Sequence, residues 1–249
     1  MKRETSQLDD SFWETWEPIM FTKERLLEIP NAVDNIVSLL NATPEMKILD
    51  LCCGVGRHSL EFARRGYTVV GIDTTQIYLD HAERDADKEN LHVEFICEDM
   101  RSFKYENAFD IIINMSSSFG FFEDNSDQML VLDNIYSSLK SEGSVLFDMV
   151  GKELIARDFV PRVWKSGEYG YALYEDIPVD DWSKLKHRWT HISKDAVVKN
   201  WESTSYIYSA EELKMMLNGT GFKNIQVLGD LKGSEYDHKA QRLVAIGRK

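Results

Sequence analysis

The segment KILDLCCGVGRHSLEFARRGYTVVGID, residues 47–73, decides the fold of this chain. A short apolar run leads into a turn that contains Gly54 and Gly56, and a helical stretch and a second apolar run follow. One carboxylate stands near the end of each run, Asp50 in the first and Asp73 after the second. The pattern predicts a strand, a glycine-rich turn, a helix and a second strand. A nucleoside ligand suits the crevice at the carboxyl ends of such parallel strands.

The rest of the chain extends this alternation and then interrupts it. Up to residue 150, apolar runs alternate with helical periodicity, which predicts an α/β doubly wound sheet. Beyond it the apolar pattern has a period of two, as at Tyr171 and Leu173, which predicts an inserted antiparallel β meander. We expect one domain from residues 1–150 and 209–249, with a helical cap in 1–43, and a substrate-covering insertion in 151–208.

Composition and charge narrow the classes of partner. The chain has 249 residues, three cysteines and a formal net charge of -13. This charge argues against a nucleic-acid partner and is easier to reconcile with a cationic or neutral small molecule. The N-terminus has no apolar core typical of a signal peptide, and no apolar run approaches the ~20 residues that span a bilayer. We therefore expect a cytoplasmic protein without a membrane partner. Monomer and homodimer remain open.

Two residues of the first segment discriminate between nucleoside ligands. A dinucleotide site has a third glycine for close helix–strand packing, and Ser59 stands at that position. Asp50 would lie close to a pyrophosphate, whereas it suits a ligand with an amino group. An amino acid joined to adenosine is S-adenosylmethionine, whose ammonium and sulfonium groups suit the acids of this crevice. The side chains of Met100 and Met115 could flank its adenine.

At this point the sequence resembles the class I S-adenosylmethionine-dependent methyltransferases over roughly residues 30–150. The matching motifs are residues 48–56, Asp73, Glu98-Asp99-Met100 and Phe109-Asp110. Residues 209–249 resemble the antiparallel sheet edge of that fold, and residues 114–120 are similar to a small-molecule subgroup with a β-rich insertion after strand five. The resemblance implies a Rossmann-like, seven-stranded, mostly parallel sheet, S-adenosylmethionine as cofactor and S-adenosylhomocysteine as product.

The resemblance also implies roles for individual residues. Asp50, Gly54 and Gly56 would contact the methionine moiety and Asp73 the ribose. Asp99 and the Met100 backbone would contact the adenine. The predicted cofactor-binding residues are Asp50, Cys52, Gly54, Gly56, Arg57, Asp73, Thr74, Asp99, Met100, Asn114 and Met115.

The acceptor is less well defined. No proline follows Asn114, unlike the motif of enzymes that methylate exocyclic amines of bases, so we expect a small-molecule acceptor. Aromatic residues of the N-terminal segment and the insertion are the candidate substrate contacts, although such a pattern is also typical of a sheet core. These candidates are Trp16, Phe21, Phe119, Trp164, Tyr171 and Trp189.

No catalytic residue is fixed by the sequence, because methyl transfer depends mainly on alignment of the reactants. The candidate bases are His58, His187 and His191. His187 and His191 could suggest a metal pair, but without a third ligand of matching spacing we expect no metal. A nicotinamide-dependent oxidoreductase and a non-catalytic S-adenosylmethionine-binding protein remain as alternatives.

Overall fold

The computed structural model describes residues 8–249. The helices are α1 (Asp10–Met20), α2 (Lys23–Leu27), α3 (Ile29–Leu40), α4 (Arg57–Arg64), α5 (Gln76–Glu89), α6 (Asn125–Ser138), α7 (Lys152–Arg157) and α8 (Ala210–Thr220). The strands are β1 (Lys47–Leu51), β2 (Thr68–Asp73), β3 (Val93–Cys97), β4 (Phe109–Asn114), β5 (Leu139–Met149), β6 (Arg162–Gly167), β7 (Gly170–Val179), β8 (Lys184–Ile192), β9 (Val198–Tyr206), β10 (Lys223–Leu228) and β11 (Leu243–Arg248). None of the helices in this part of the chain is both long enough and apolar enough to cross a membrane.

The central sheet has seven strands in the order β10-β11-β5-β4-β1-β2-β3. Strands β1 to β5 are parallel to one another, and β11 and β10 form an antiparallel edge. The predicted fold class is therefore confirmed. The order of the strands reverses between β1 and β4, and a crevice outside the carboxyl ends of a sheet forms at such a point.

The central sheet is covered on both faces, which explains its continuous apolar strands. On one face Val33 and Ile36 of α3 pack with Ile111 and Ile113 of β4. On the other face residues of α6 and α8 pack with the alternate residues of the same strands, among them Ile112. A carboxylate in such a strand is exposed to water only where the strand ends.

The insertion folds as a second, antiparallel sheet with the order β6-β7-β8-β9. Its inner face packs on α1, where Phe12 and Trp16 contact Trp189 with ring centroids 5.4 and 5.2 Å apart. Its outer face is exposed, and Trp164 and Tyr171 lie there at 67% and 50% exposure. The period-two pattern of the sequence therefore arises because one face of this sheet is packed and the other is exposed.

One helix is longer than the sequence suggests. The charged stretch 83–90 reads as a loop, but α5 continues to Glu89. Ala82 and Ala86 are buried on its inner side, and Asn90 ends it in a left-handed conformation with φ of 55°. Because the charges occupy only the solvent side, the stretch is an amphipathic helix with a narrow apolar stripe.

Candidate cofactor and acceptor site

The glycine turn after β1 needs its two glycines for different reasons. Gly54 and Gly56 both have left-handed backbones, with φ of 57° and 69°. A Cβ on Gly54 would lie 3.2 Å from the ring of Phe21, which covers this side of the turn. A Cβ on Gly56 would lie 2.8 Å from the Cβ of Ala82 and 2.9 Å from the ring of Phe95. Gly56 therefore lets the turn pack closely on α5 and β3, while Gly54 lets Phe21 lie over the turn.

Asp73, at the end of β2, is tied to this turn. One carboxylate oxygen accepts a hydrogen bond from the Gly54 N–H at 2.8 Å, and the other accepts one from the Thr75 N–H at 2.9 Å. Burial raises the pKa of Asp73, and these backbone donors oppose the rise. Asp73 is only partly buried, so its carboxylate could still accept hydrogen bonds from a pair of ribose hydroxyls. Thr74 is exposed beside it.

Asp50 in β1 is buried below the turn. Its carboxylate accepts a hydrogen bond of 2.7 Å from the hydroxyl of Ser59 on α4. Burial raises its pKa to about 6, and the Ser59 hydrogen bond and the Arg57 charge oppose the rise. In the sequence, Ser59 was informative only because it stands where a dinucleotide site has a third glycine. In the structure, its hydroxyl is the hydrogen-bond partner of Asp50. Asn114, at the end of β4, donates to the Leu51 carbonyl at 3.0 Å.

The structure uses the carboxylate of Asp99 differently from the sequence-based expectation. Instead of pointing free toward an adenine amine, it forms an ion pair with Arg101 at 2.7 Å and accepts from the Arg101 backbone N–H at 2.8 Å. Arg101 also pairs with Asp127 of α6 at 2.9 Å. Because Arg101 donors occupy both oxygens, a contact from this side chain to adenine requires the pair to rearrange.

Three other predicted contacts need correction. Met100 and Met115 cannot flank one adenine together, because they belong to core clusters on opposite faces of the central sheet. Met100 instead contacts the thiol of Cys52, with the sulfurs 3.5 Å apart. Phe119 is 2% exposed and packs on Phe147, so it is a core residue and not a substrate contact.

The candidate substrate aromatics lie in three different environments. Phe21 lies at the cleft, packed edge-on against Tyr78 with ring centroids 5.5 Å apart. Trp16 is fully buried, and Trp189 packs on it from the inner face of the insertion. Trp164 and Tyr171 lie on the outer face, away from α1, because their positions in the period-two pattern point outward.

The three candidate histidines have structural surroundings. Burial and the adjacent Arg57 charge lower the pKa of His58 to about 3, which makes it a weak base at neutral pH. His187 has both nitrogens engaged, by Asp176 at 2.7 Å and Ser205 at 2.8 Å. His191 contacts a backbone carbonyl through Nε2 at 2.8 Å. Within residues 8–249, no three His, Cys, Asp or Glu side chains are grouped to hold a metal ion.

Sequence reasoning missed a polar cluster at the ends of β4 and β5. Asp148 of β5 accepts two hydrogen bonds from Arg242, at 2.7 and 3.1 Å. Its backbone carbonyl accepts from the Ser117 N–H at 3.0 Å. The Arg57 guanidinium donates to the hydroxyl of Ser116 at 2.5 Å. The only local signal was the serine run after Asn114, since Arg242 comes from the other end of the chain.

The left-handed backbones in this cluster mark it as a constrained segment. Ser116 and Ser117 have φ of 63° and 66°, a region that non-glycine residues seldom adopt. Such a conformation persists only where the surroundings fix it, and it occurs preferentially at ligand sites. Here Asp148, Arg57 and the Val150 N–H, which donates to Ser117 at 3.0 Å, hold it.

Comparison with known proteins identifies the domain that carries this site. Residues 48–143, from β1 into β5, match the family described as "Methyltransferase domain". The chain contains a methyltransferase domain. This match covers the glycine turn, Asp50 and Asp73. Together with the relatives and solved structures below, it confirms the predictions of a class I methyltransferase, of an enzyme that transfers methyl groups and of S-adenosylmethionine as cofactor.

Relatives and solved structures extend the likeness beyond the methyltransferase domain. A ubiquinone biosynthesis O-methyltransferase of Coxiella burnetii is 23% identical over 181 residues, covering 70% of this chain and 75% of the relative. An S-adenosylmethionine-dependent methyltransferase structure from Clostridium acetobutylicum superposes with a TM-score of 0.80 at 15% identity, covering 96% and 98% of the two chains. The sugar N-methyltransferase KedS8 from Streptoalloteichus superposes with a TM-score of 0.70 at 15% identity, covering 100% and 95%. At these identities the structural likeness is one of fold.

Proposed function

We propose that the protein transfers the methyl group of S-adenosylmethionine to a small-molecule acceptor in the crevice at the carboxyl ends of β1, β2 and β4. The observation that carries the proposal is Asp73, whose carboxylate is fixed by the glycine turn and is still partly exposed at the end of β2. Asp50 supplies a buried negative charge below the same turn, which suits the cationic donor. Gly54 has no side chain, so its backbone can lie close to the methionine moiety beneath the ring of Phe21.

The remaining cofactor contacts belong to the same proposal. Besides these three residues, we assign to the cofactor site Cys52, Gly56, Arg57, Thr74, Asp99, the Met100 backbone, Asn114 and Met115. Gly56 and Asn114 act indirectly, because the first packs the turn on α5 and β3 and the second holds the end of β1. The bound donor supplies a methyl carbon activated by the sulfonium, so the protein has to align the acceptor and exclude water.

We propose that α1, α2 and the inserted sheet in residues 151–208 enclose the acceptor. Phe21 lies over the glycine turn, and Trp13 at the other side of α1 contacts Phe121 after β4. The insertion joins the same loop, where the Tyr206 N–H donates to the Gly120 carbonyl at 2.7 Å. A sugar N-methyltransferase with this fold supports an acceptor of small-molecule size.

Calorimetry tests the cofactor assignment. Titration of the full chain with S-adenosylmethionine is expected to show saturable binding, and titration with NADH is expected to show none. The reverse result would support a nicotinamide-dependent oxidoreductase. Turnover of labelled donor with a metabolite panel then separates an enzyme from a non-catalytic binding protein, for which binding without any turnover would be found.

A matched pair of variants on β7 tests the role of the inserted sheet. Tyr174 points to the inner face, packed on Trp16 with ring centroids 5.0 Å apart, whereas Tyr171 points outward. With an acceptor found in the panel, Tyr174→Ala is expected to raise KM, and Tyr171→Ala is expected to leave KM unchanged. Equal effects of the two substitutions would contradict the proposed enclosure of the acceptor by the inner face.

A further inference from the structure

Three arginines from distant parts of the sequence lie near one another beside the glycine turn. Arg57 begins α4, Arg25 lies on α2, and Arg242 precedes β11. Burial lowers the pKa of Arg57, and the charges of Arg25 and Arg242 lower it further, while the charges of Asp50 and Asp148 oppose the fall. In a chain of net charge -13, the overall composition does not explain a local concentration of positive charge.

Two of these guanidinium groups lack a carboxylate partner. Arg242 is paired with Asp148 at 2.7 Å. Among residues 8–249, no Asp or Glu oxygen lies within 4.0 Å of a side-chain nitrogen of Arg25 or Arg57. Within the described part of the chain, Arg57 donates to the neutral hydroxyl of Ser116, and Arg25 donates to the Met20 carbonyl at 2.9 Å.

The position of this pair is set by Phe21. The Arg57 guanidinium lies over the Phe21 ring at 5.4 Å from its centroid, which orients the plane of the guanidinium. Arg25 donates a hydrogen bond to the carbonyl of Met20, the residue before Phe21. It also lies near Tyr174 on the inner face of the inserted sheet. Burial raises the pKa of Tyr174, and the Arg25 charge opposes that rise. The two arginines therefore line the space between the glycine turn and the insertion, beside the exposed Ser116.

We propose that Arg25, together with Arg57 where the cofactor site borders the acceptor site, binds an anionic group, a carboxylate or a phosphate, on the methyl acceptor. Planar guanidinium groups bind such anions through paired, charge-assisted hydrogen bonds, and an anion bound between two arginines reduces their mutual repulsion. Arg57 is the first residue of α4, whose N-terminus has no side-chain cap, and the positive end of the helix dipole also favours an anion. This substrate class differs from the cationic or neutral acceptor that the net charge alone favoured.

The inference rests on the proposed function, and its test separates the two. The full chain is first saturated with S-adenosylhomocysteine, which fills the cofactor site, and is then titrated with inorganic phosphate at constant ionic strength. We expect saturable phosphate binding that weakens about fivefold to tenfold in Arg25→Gln and in Arg57→Gln. The matched control is Arg84→Gln, since Arg84 is exposed on α5 and donates only to the Asp80 carbonyl.

Other outcomes of this titration overturn the inference. Absence of saturable phosphate binding, or binding that Arg25→Gln leaves unchanged, contradicts it while S-adenosylhomocysteine still binds. A loss of S-adenosylhomocysteine affinity in both variants by a similar factor assigns the arginines to the cofactor carboxylate. Failure of S-adenosylhomocysteine to bind the unmodified chain would contradict the proposed function itself.

Turnover provides a second measurement that does not depend on phosphate. A panel of carboxylic acids and phosphate monoesters is assayed with S-adenosylmethionine, each beside its primary amide or alcohol. We expect the anionic member of a pair to have the higher kcat/KM, and Arg25→Gln to reduce that preference. Preference for the uncharged member, or for amines, overturns the assignment.

Discussion

The two acids of the opening segment look alike in the sequence but occupy different environments. Asp73 is held by backbone N–H groups at the end of its strand, where it can meet a ligand. Asp50 lies inside its strand, buried with Ser59 as its direct partner. The spacing of the two residues predicted a pair of carboxylates at one crevice, but it contained no information about how deeply each is buried. Burial depends on which helices cover the strands.

Replacement of Asp73 by alanine is expected to weaken cofactor binding. The substitution removes the proposed ribose acceptor and leaves the Gly54 and Thr75 N–H groups without their partner. Loss of such a buried acceptor costs about 1–3 kcal/mol. Calorimetry with S-adenosylmethionine should show this loss for Asp73→Ala and not for Asp80→Ala, which alters an exposed acid. Unchanged affinity in Asp73→Ala would refute the ribose assignment.

Asp50 is expected to make the stability of the cofactor-free protein fall as pH rises from about 4 to about 7. Burial raises its folded pKa from 3.8 to about 6, so over this range the native state keeps a proton that the unfolded chain has released. Stability therefore decreases with pH, by about 3 kcal/mol for a shift of this size.

The variant Asp50→Asn isolates this effect from the other titrating groups. Its stability relative to the unmodified protein, from urea unfolding at a series of pH values, should increase through this range and stay constant above it. Asp80→Asn, at an exposed position, is the control. A difference between Asp50→Asn and the unmodified protein that does not vary with pH would show that Asp50 is ionised normally.

At the scale of elements, periodicity predicted the order of strands and helices well because each element buries one face or both. The second sheet was recognised from its period-two pattern for the same reason. Boundaries were predicted less well where charge obscured a narrow apolar stripe, as in α5. Periodicity also gives no information about Gly56. This position requires glycine because Ala82 and Phe95, on two other elements, leave no room for a Cβ.

The substitution Gly56→Ala is expected to destabilise the protein more than Gly66→Ala. Both positions have left-handed backbones, with φ of 69° and 86°, so the added Cβ destabilises the folded protein by about 1–2 kcal/mol at either one. Only at Gly56 does that Cβ meet neighbours, at 2.8 and 2.9 Å, whereas none lies within 4 Å at Gly66. Overpacking adds about 1–3 kcal/mol, which urea unfolding can measure. Equal losses would mean that the turn relaxes freely.

At the scale of the whole molecule, α1 joins the inserted sheet to the methyltransferase domain. Its residues Phe12 and Trp16 pack on the inner face of the insertion. Its other side contacts α5, where the Tyr78 hydroxyl donates to the Trp13 carbonyl at 2.8 Å and His81 pairs with Glu17 at 2.7 Å. The insertion thus depends on the N-terminal segment for its core.

Trp16→Ala is expected to cost about 3–5 kcal/mol and to expose both α1 and the insertion to proteolysis. Trp16→Phe should cost much less, because within the described residues the buried indole N–H has no hydrogen-bond partner and its removal relieves that penalty. Urea unfolding and limited proteolysis of the two variants measure this. Cleavage confined to α1, with the insertion still protected, would contradict a shared core.

The sequence alone determined the alternating α/β fold, the inserted meander, the glycine turn and the two acids that predict the donor. Each of these features depends on a short segment of sequence, because backbone conformation and the burial of one face restrict which residues can follow one another. Only the tertiary structure decided that Asp99 pairs with Arg101 and that Met100 and Met115 lie on opposite faces. It also brought Arg25, Arg57 and Arg242 together. Contacts between residues so far apart depend on strand order and on how the elements pack, which local patterns do not specify.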